Sequence, residues 1–409
     1  MQSPPRVRFL DRSTPPHIVT LILLAGLSAL AMNVFLPSLP KMSEYFDTEY
    51  RLMQLSVAIY LGVNAVLQLV IGPISDQIGR RPVILGAVVL FMLATLGCLF
   101  ATNVTVFLIF RMCQAVIVAA MALSRAVVRD MYPQDQAASM IGFVTMGVSL
   151  VPMLGPPLGG LLDELLGWKS SFWLLFLLGG GVLWLTWRDL GETSISSGMT
   201  LRQQFREYPE LIRSPRFWGY ALACAFSSGA FFAYLGGAPF VGSEVYGLTS
   251  FWLGLLFGAP AVGYLVGNFM SGTFSARIGI NKMILWGCLI NTGGLAAALL
   301  TFAAGYQSEY TFFGFMIFVG LGNGMTIPNA TAGSLSVRPH LAGTAAGLGG
   351  AIMIGGGAGL SALAGALLQP GTGAWPLLWL MVTTGLASIV AICVVIYRER
   401  QLRGLDLAG

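Results

Sequence analysis

Apolar residues in this chain neither alternate with polar ones nor keep to one helical face. They come in long runs separated by short polar turns, at about 17–39, 52–74, 82–101, 105–128, 137–161, 170–187, 217–241, 250–273, 282–304, 310–333, 341–367 and 375–396. A membrane-spanning helix takes about 20 such residues, so the pattern predicts twelve spans with short loops. Arg6, Arg8 and Arg12 precede the first run, as they would in a leader peptide. Pro37, Pro40 and Lys41 follow it instead of a small-residue cleavage site, which makes it a retained first span. The longest polar connection, 188–216, divides the chain into an N-terminal six-helix bundle over 1–187 and a C-terminal one over 217–409. Within it, Leu201–Arg213 has the pattern of a short amphipathic tether at the membrane surface.

Composition narrows the class. Of 409 residues, 56% are hydrophobic and 10% charged, with a mean hydropathy of +0.78, whereas an average soluble domain is roughly 25% charged. An ordinary soluble enzyme, a disordered chain and a nucleic-acid binder are all excluded on that ground. The 52 glycines exceed the usual share, and small residues let membrane helices approach closely. The five cysteines, Cys98, Cys113, Cys224, Cys288 and Cys393, lie inside apolar runs with no metal-ligand spacing, and read as small buried hydrophobes. No metal or cofactor is expected, and without a Walker A pattern neither is ATP hydrolysis.

Charge distribution sets the orientation. Of the 22 basic residues, 18 fall on one side of the twelve-span layout, Lys41, Arg51 and Lys169 on the other, and Arg111 within a span. Cytoplasmic loops carry the excess of Lys and Arg, so both termini are expected in the cytoplasm.

Three motifs carry chemistry. The loop after span 2 reads Gly72-Pro-Ile-Ser-Asp76-Gln-Ile-Gly79-Arg80-Arg81-Pro82. Its glycines permit a tight turn, Asp76 can pair with an Arg or cap the next helix, and Pro82 suits a first helical position. The matching loop after span 8 repeats the frame with Ala276 in place of the acid: Gly272-Thr-Phe-Ser-Ala276-Arg277-Ile-Gly279. Span 4 holds Arg111-Met-Cys-Gln114-Ala115. An Arg within a span costs about 2.5–3.5 kcal/mol on insertion scales and is expected to face the bundle interior. Span 5 reads Gly155-Pro156-Pro-Leu-Gly159-Gly160, and span 11, its positional counterpart, is also glycine-rich.

Together these resemble the major facilitator superfamily. With Asn33, Phe35, Tyr60, Arg125–Asp130 and Gly167–Phe172 they resemble its bicyclomycin-resistance branch of twelve-span drug exporters. The resemblance implies an all-α integral membrane protein of twelve transmembrane helices in two pseudo-symmetric six-helix bundles. It also implies a cytoplasmic latch at Gly72, Asp76, Gly79, Arg80 and Arg81, an exporter motif at Gly155, Pro156, Gly159 and Gly160, and export by proton antiport.

One departure matters: many relatives carry Asp where this chain has Asn33. By helical rise, Asn33 lies about 24 Å in from residue 17 and Arg111 about 9 Å in from residue 105 on the other side, at comparable depth. An Asp there could pair with Arg111 and titrate; Asn33 cannot. No acid or His lies mid-span. Either a rim acid such as Glu244 or Asp163 couples transport to protons, or coupling is absent, or another ion serves. Arg111 without a carboxylate also opens the reading of an anionic substrate.

The candidate substrate and coupling residues are Asn33, Tyr60, Arg111, Gln114, Asn323 and Asn329, within a wider lining of Asn64, Gln68, Phe226, Phe231, Phe232, Tyr234, Asn268 and Asn291. For any single Asn or aromatic, helix-packing glue is an equal reading. Gly320–Gly324 and Pro328-Asn329 in span 10 are expected to join a backbone break to amides. The expected function is secondary export of a small amphipathic drug or metabolite across a bacterial inner membrane. The alternative is a facilitator or exporter of an anionic metabolite, uncoupled from protons. The expected partners are that small molecule, the bilayer and, by resemblance alone, protons. No nucleic acid is expected, and the chain is taken as a monomer.

Overall fold

The computed structural model describes residues 7–14, 16–131, 144, 151–193, 209–338 and 341–406. They form two compact units that divide between Gln204 and Phe205. In the first unit α1 (Ile18–Asn33) runs through a 3₁₀ turn at Leu36–Ser38 into α2 (Leu39–Tyr45). Then come α3 (Tyr50–Ile78), α4 (Arg80–Leu99), α5 (Val104–Gln114), a 3₁₀ turn at Ala115–Ile117, α6 (Val118–Met131), α7 (Val151–Leu166) and α8 (Lys169–Asp189). The second unit holds α9 (Pro215–Phe240), a π-helical turn at Val241–Val245, α10 (Ser250–Phe257), α11 (Ala259–Ile278), α12 (Ile280–Ala303), α13 (Glu309–Ser336), α14 (Ala342–Leu367) and α15 (Trp375–Asp406).

Among the described residues, eleven helices or end-to-end helix pairs are long and apolar enough to cross a membrane, one on each predicted run except the fifth. That run, 137–161, is described at 144 and from 151 onward, as α7. The amphipathic tether lies outside the described residues up to 208. Residues 209–212 make a helical turn that buries Leu211 in the core of the second unit.

Helix ends follow local chemistry. Asn103 caps α5 through Val106 N–H at 2.9 Å, and Ser308 caps α13 through Thr311 N–H at 3.2 Å. Gly79 ends α3 with φ +105° and Gly279 ends α11 with φ +91°. Each N–H returns to the carbonyl four residues back, at Ser75 and Ser275, both at 2.9 Å. Only glycine adopts this backbone without strain, so the same turn recurs at the same place in both halves. Pro82 is the third residue of α4 and not its first.

Span 10 corrects an expectation. α13 continues unbroken through Gly320–Gly324 and Pro328. Its glycines serve close approach instead. Gly320 and Gly324 face Gly263 and Gly267 of α11, and a Cβ at any of the four would press on backbone across the crossing. The opposing atoms include the Pro260, Tyr264, Ile317 and Leu321 carbonyl oxygens. Two Gly-x-x-x-Gly pairs thus seat the two helices backbone to backbone.

Each unit has its own apolar core, one built around Leu24, Phe91 and Leu123, the other around Phe217, Ile284 and Ile392. Large apolar side chains also point outward along the spans: Phe269 is 72% exposed, Leu300 71% and Val390 63%. That surface suits hydrocarbon and not water. Cys98, Cys224 and Cys288 are buried as expected, but Cys113 and Cys393 are exposed. An apolar run fixes depth in the membrane, not which face of the helix turns inward.

Gly320→Ala is expected to lower the thermal unfolding midpoint of the detergent-purified protein, because its Cβ meets the Pro260 carbonyl. Overpacking of this kind costs about 1–3 kcal/mol. Gly272→Ala, with nothing within 4 Å, should leave the midpoint unchanged. Equal midpoints would refute the close crossing.

Candidate functional site

Arg111 is 1% exposed and sits in the last turn of α5. Its Nη1 donates to Gln114 Oε1 at 2.7 Å and its Nη2 to the Ala31 carbonyl at 2.9 Å. Its guanidinium also lies over two rings, with Cζ 4.3 Å from the Phe35 centroid and 4.1 Å from that of Tyr60. Ala31 is in the final turn of α1, where carbonyls lose their helical partners and the helix dipole favours a cation. Gln114 Nε2 passes the network on to Thr95 Oγ1 at 2.7 Å, and Thr95 donates to the Phe91 carbonyl at 2.7 Å. One guanidinium thereby links spans 1, 2, 3 and 4. The chain turns from α-helix to 3₁₀ directly after Gln114.

Tyr60, Arg111 and Gln114 are therefore brought together. Asn33 is buried on the same helix as Ala31, but its Nδ2 donates to the Ala29 carbonyl at 2.8 Å. Its Cβ faces Gly155 of α7, at 3.7 Å from where a side chain there would begin. It makes no hydrogen bond to Arg111. Two polar atoms at this centre have no hydrogen-bond partner among the described residues, Arg111 Nε and the Tyr60 hydroxyl.

Asn323 and Asn329 belong to the second unit, where amides tie helices together. Ser227 Oγ donates to Asn323 Oδ1 at 2.8 Å, and Asn329 Nδ2 reaches Ser271 Oγ at 2.8 Å. Asn291 Nδ2 reaches the Ser227 carbonyl at 3.3 Å and leaves its Oδ1 unpartnered. Tyr234 donates to the Phe257 carbonyl at 3.1 Å, where the helix breaks at Gly258. In the first unit Asn64 and Gln68 pair with each other at 2.9 Å, and in the second Asn268 bonds back to Tyr264.

The span-5 glycines pack on the end of span 1. A Cβ on Gly159 would collide with the Val34 carbonyl, and one on Gly155 would stand 3.3 Å from Leu30 Cδ1. Pro156 and Gly160 are buried beside them.

In the loop after span 2, Arg80 is 4% exposed and pairs with Asp76 at 2.6 Å and Asp130 at 3.0 Å. It also bonds Ser75 Oγ and approaches the Gly72 carbonyl at 3.5 Å. Arg81 Nη2 donates to the Trp187 carbonyl at 3.3 Å. Asp76 does not cap α4; Glu192 does. Its carboxylate accepts from Arg80 N–H at 2.9 Å and Arg81 N–H at 3.2 Å. Glu192 follows span 6, far from the loop in sequence, and nothing local announces that role. Asp189 is likewise buried, accepting from the N–H groups of Leu10 and His17 and from Thr20 Oγ1. Among the described residues the loop after span 8 has none of these pairs. There Glu399 of α15 collects Arg216 at 2.9 Å, Tyr220 Oη at 3.0 Å and Asn281 Nδ2 at 2.6 Å.

The two rim acids part company. Glu244 is exposed in the π-helical turn. Asp163 has a fully buried carboxylate, held by Lys41 Nζ at 2.9 Å. Close to Glu244, Tyr246 is pushed up to about 12, chiefly by burial and then by the Glu309 carboxylate; its phenol stays neutral. No group of three or more His, Cys, Asp and Glu able to hold a metal exists among the described residues.

Residues 21–362 match the Major Facilitator Superfamily. The chain belongs to the major facilitator superfamily. It is 30% identical over 386 residues to the chloramphenicol resistance protein of Pseudomonas aeruginosa, covering 92% of this chain and 90% of that one. It is 27% identical over 398 residues to the bicyclomycin resistance protein homolog of Haemophilus influenzae, covering 96% and 99%. The solved structure of a D-xylose-proton symporter superposes with a TM-score of 0.73 at 16% identity, over 92% of this chain and 96% of that one. The protein is thus a multi-pass membrane transporter with the superfamily's all-α fold, and not an enzyme.

Arg111→Lys is expected to lower the thermal midpoint even though it keeps the charge. A single ammonium cannot form the two-pronged contact with Gln114 and Ala31 while stacked between two rings. Each buried polar atom left unpaired costs about 1–3 kcal/mol. A midpoint equal to wild type would show that the guanidinium geometry is dispensable.

Proposed function

We propose that this transporter exports small, uncharged amphipathic drugs or metabolites across the inner membrane by alternating access, with both termini cytoplasmic. One observation carries the substrate class: Arg111 is enclosed by neutral acceptors and two aromatic faces within its own unit. A cation so occupied has little left to offer an anion, whereas an aromatic, amide-containing surround suits an amphipathic molecule. The names of relatives similar over nearly the full chain, for chloramphenicol and bicyclomycin resistance, support the same reading. The direction of transport and the sidedness follow from that resemblance and from the basic loops. Expression in an efflux-deficient bacterial host should raise the inhibitory concentration of chloramphenicol or another neutral amphipathic antibiotic, and Tyr60→Ala should abolish the gain. A panel of such compounds with no protected member would count against drug export.

Proton coupling is assigned to Asp163. Among the described residues it has a fully buried carboxylate held by one cationic partner, Lys41, while Asn33 at the expected coupling position cannot titrate. In proteoliposomes, a pH jump should drive substrate flux with proton movement, and Asp163→Asn should retain flux down a substrate gradient but lose the response to pH. Robust wild-type flux without proton movement would defeat antiport. The second reading, an anionic substrate, draws on the unpartnered Arg111 Nε and Tyr60 hydroxyl. It requires Arg111→Gln to reduce transport of some organic anion at least about tenfold, equivalent to about 1.4 kcal/mol; unchanged transport of every anion tried would remove it.

A further inference from the structure

At the basic end of the second unit lies a pocket of about 770 Å³ lined by residues of α9, α11, α12, α13 and α15. Its charge is unbalanced. Arg216, Lys282 and Arg400 line it together with one acid, Glu399. Glu399 is already taken by Arg216, Tyr220 and Asn281. Lys282 and Arg400 are exposed and have no ion pair among the described residues.

Beneath the cations the wall turns apolar in a regular way. Lys282, Leu285, Trp286 and Leu289 follow one another at helical spacing along a single face of α12. Trp286 is 57% exposed and Leu289 43%, so this stripe runs from the pocket onto the outward, hydrocarbon-facing surface. From Lys282 to Leu289 is about 10 Å of helix rise. A charged group at the end of a span, an indole at headgroup depth and an apolar strip below make the profile of a single amphiphile.

In the first half the Glu192 carboxylate caps Arg80 N–H and Arg81 N–H. After Gly279 the corresponding residues Ile280 and Asn281 line this pocket, and no side chain caps this helix start among the described residues. An anionic oxygen cluster there would meet two backbone donors, Lys282 and Arg400 at once.

We propose that this pocket binds the headgroup phosphate of an anionic phospholipid, whose acyl chains lie along Leu285, Trp286 and Leu289. Basic pockets between spans hold such headgroups, and continuity with the hydrocarbon-facing stripe selects a lipid over a soluble anion. The full-length protein, delipidated in detergent, is titrated by native mass spectrometry with phosphatidylglycerol and with phosphatidylcholine of the same chains. Phosphatidylglycerol should bind at least about tenfold more tightly, and the exposed pair Lys282→Ala/Arg400→Ala should remove about tenfold or more of that affinity. Lys282→Arg/Arg400→Lys should keep it. Equal binding of the two lipids by the wild type, or unchanged binding in the alanine pair, would overturn the proposal. Inorganic phosphate that raises the thermal midpoint as far as phosphatidylglycerol does would reassign the pocket to a soluble anion and overturn the lipid.

Discussion

A guanidinium placed among apolar helices must find every partner within the protein, because hydrocarbon offers none. Arg111 meets that demand at its two Nη groups, with the carbonyl end of span 1 and the Gln114 amide, and across the faces of Phe35 and Tyr60, while its Nε has no partner among the described residues. Ala31 and Phe35 come from the end of span 1, Tyr60 from span 2 and Gln114 from span 4 itself, so satisfying one charge fixes the mutual placement of several spans. The 3₁₀ turns after span 1 and within span 4 lie beside this centre, where the backbone departs from regular helix to bring those groups into range. Among the described residues no carboxylate takes part, so neutral carbonyl, amide and ring groups alone surround the charge.

The remaining architecture answers the same solvent in a different way. Apolar side chains gain nothing by leaving lipid for one another, so helices associate through close packing and hydrogen bonds. Gly263 and Gly267 against Gly320 and Gly324, and Gly159 against the Val34 carbonyl, provide the close packing. Ser227, Asn291, Asn323 and Asn329 provide the hydrogen bonds. These amides first serve to hold the second unit together, which makes the first unit's Arg111 centre the better-defined candidate site.

The two halves share a turn and differ in what surrounds it. Gly79 and Gly279 adopt the same positive-φ conformation between consecutive spans. The first is enclosed by Asp76, Arg80, Asp130 and Glu192. The second has lost the acid at Ala276 and gathers its polar groups on Glu399, leaving Lys282 and Arg400 at an open pocket. The first half caps the helix after this turn with Glu192, and no side chain does so after Gly279 among the described residues.

The sequence by itself determined the class, the limits of most spans and the uneven distribution of charge along the chain. All of these depend on run length and composition, which are local quantities. Arg111 was legible as a site residue because a cation within an apolar run is costly wherever it sits. Tertiary structure decided the partners: Ala31 for Arg111 instead of Asn33, Glu192 as the cap of span 3, Lys41 for Asp163, and an unbroken span 10 whose glycines mark a crossing. Those outcomes depend on which helix faces meet, and a uniformly apolar run leaves its own rotation unspecified. Only packing against neighbours sets that rotation, and with it the destination of every buried polar group.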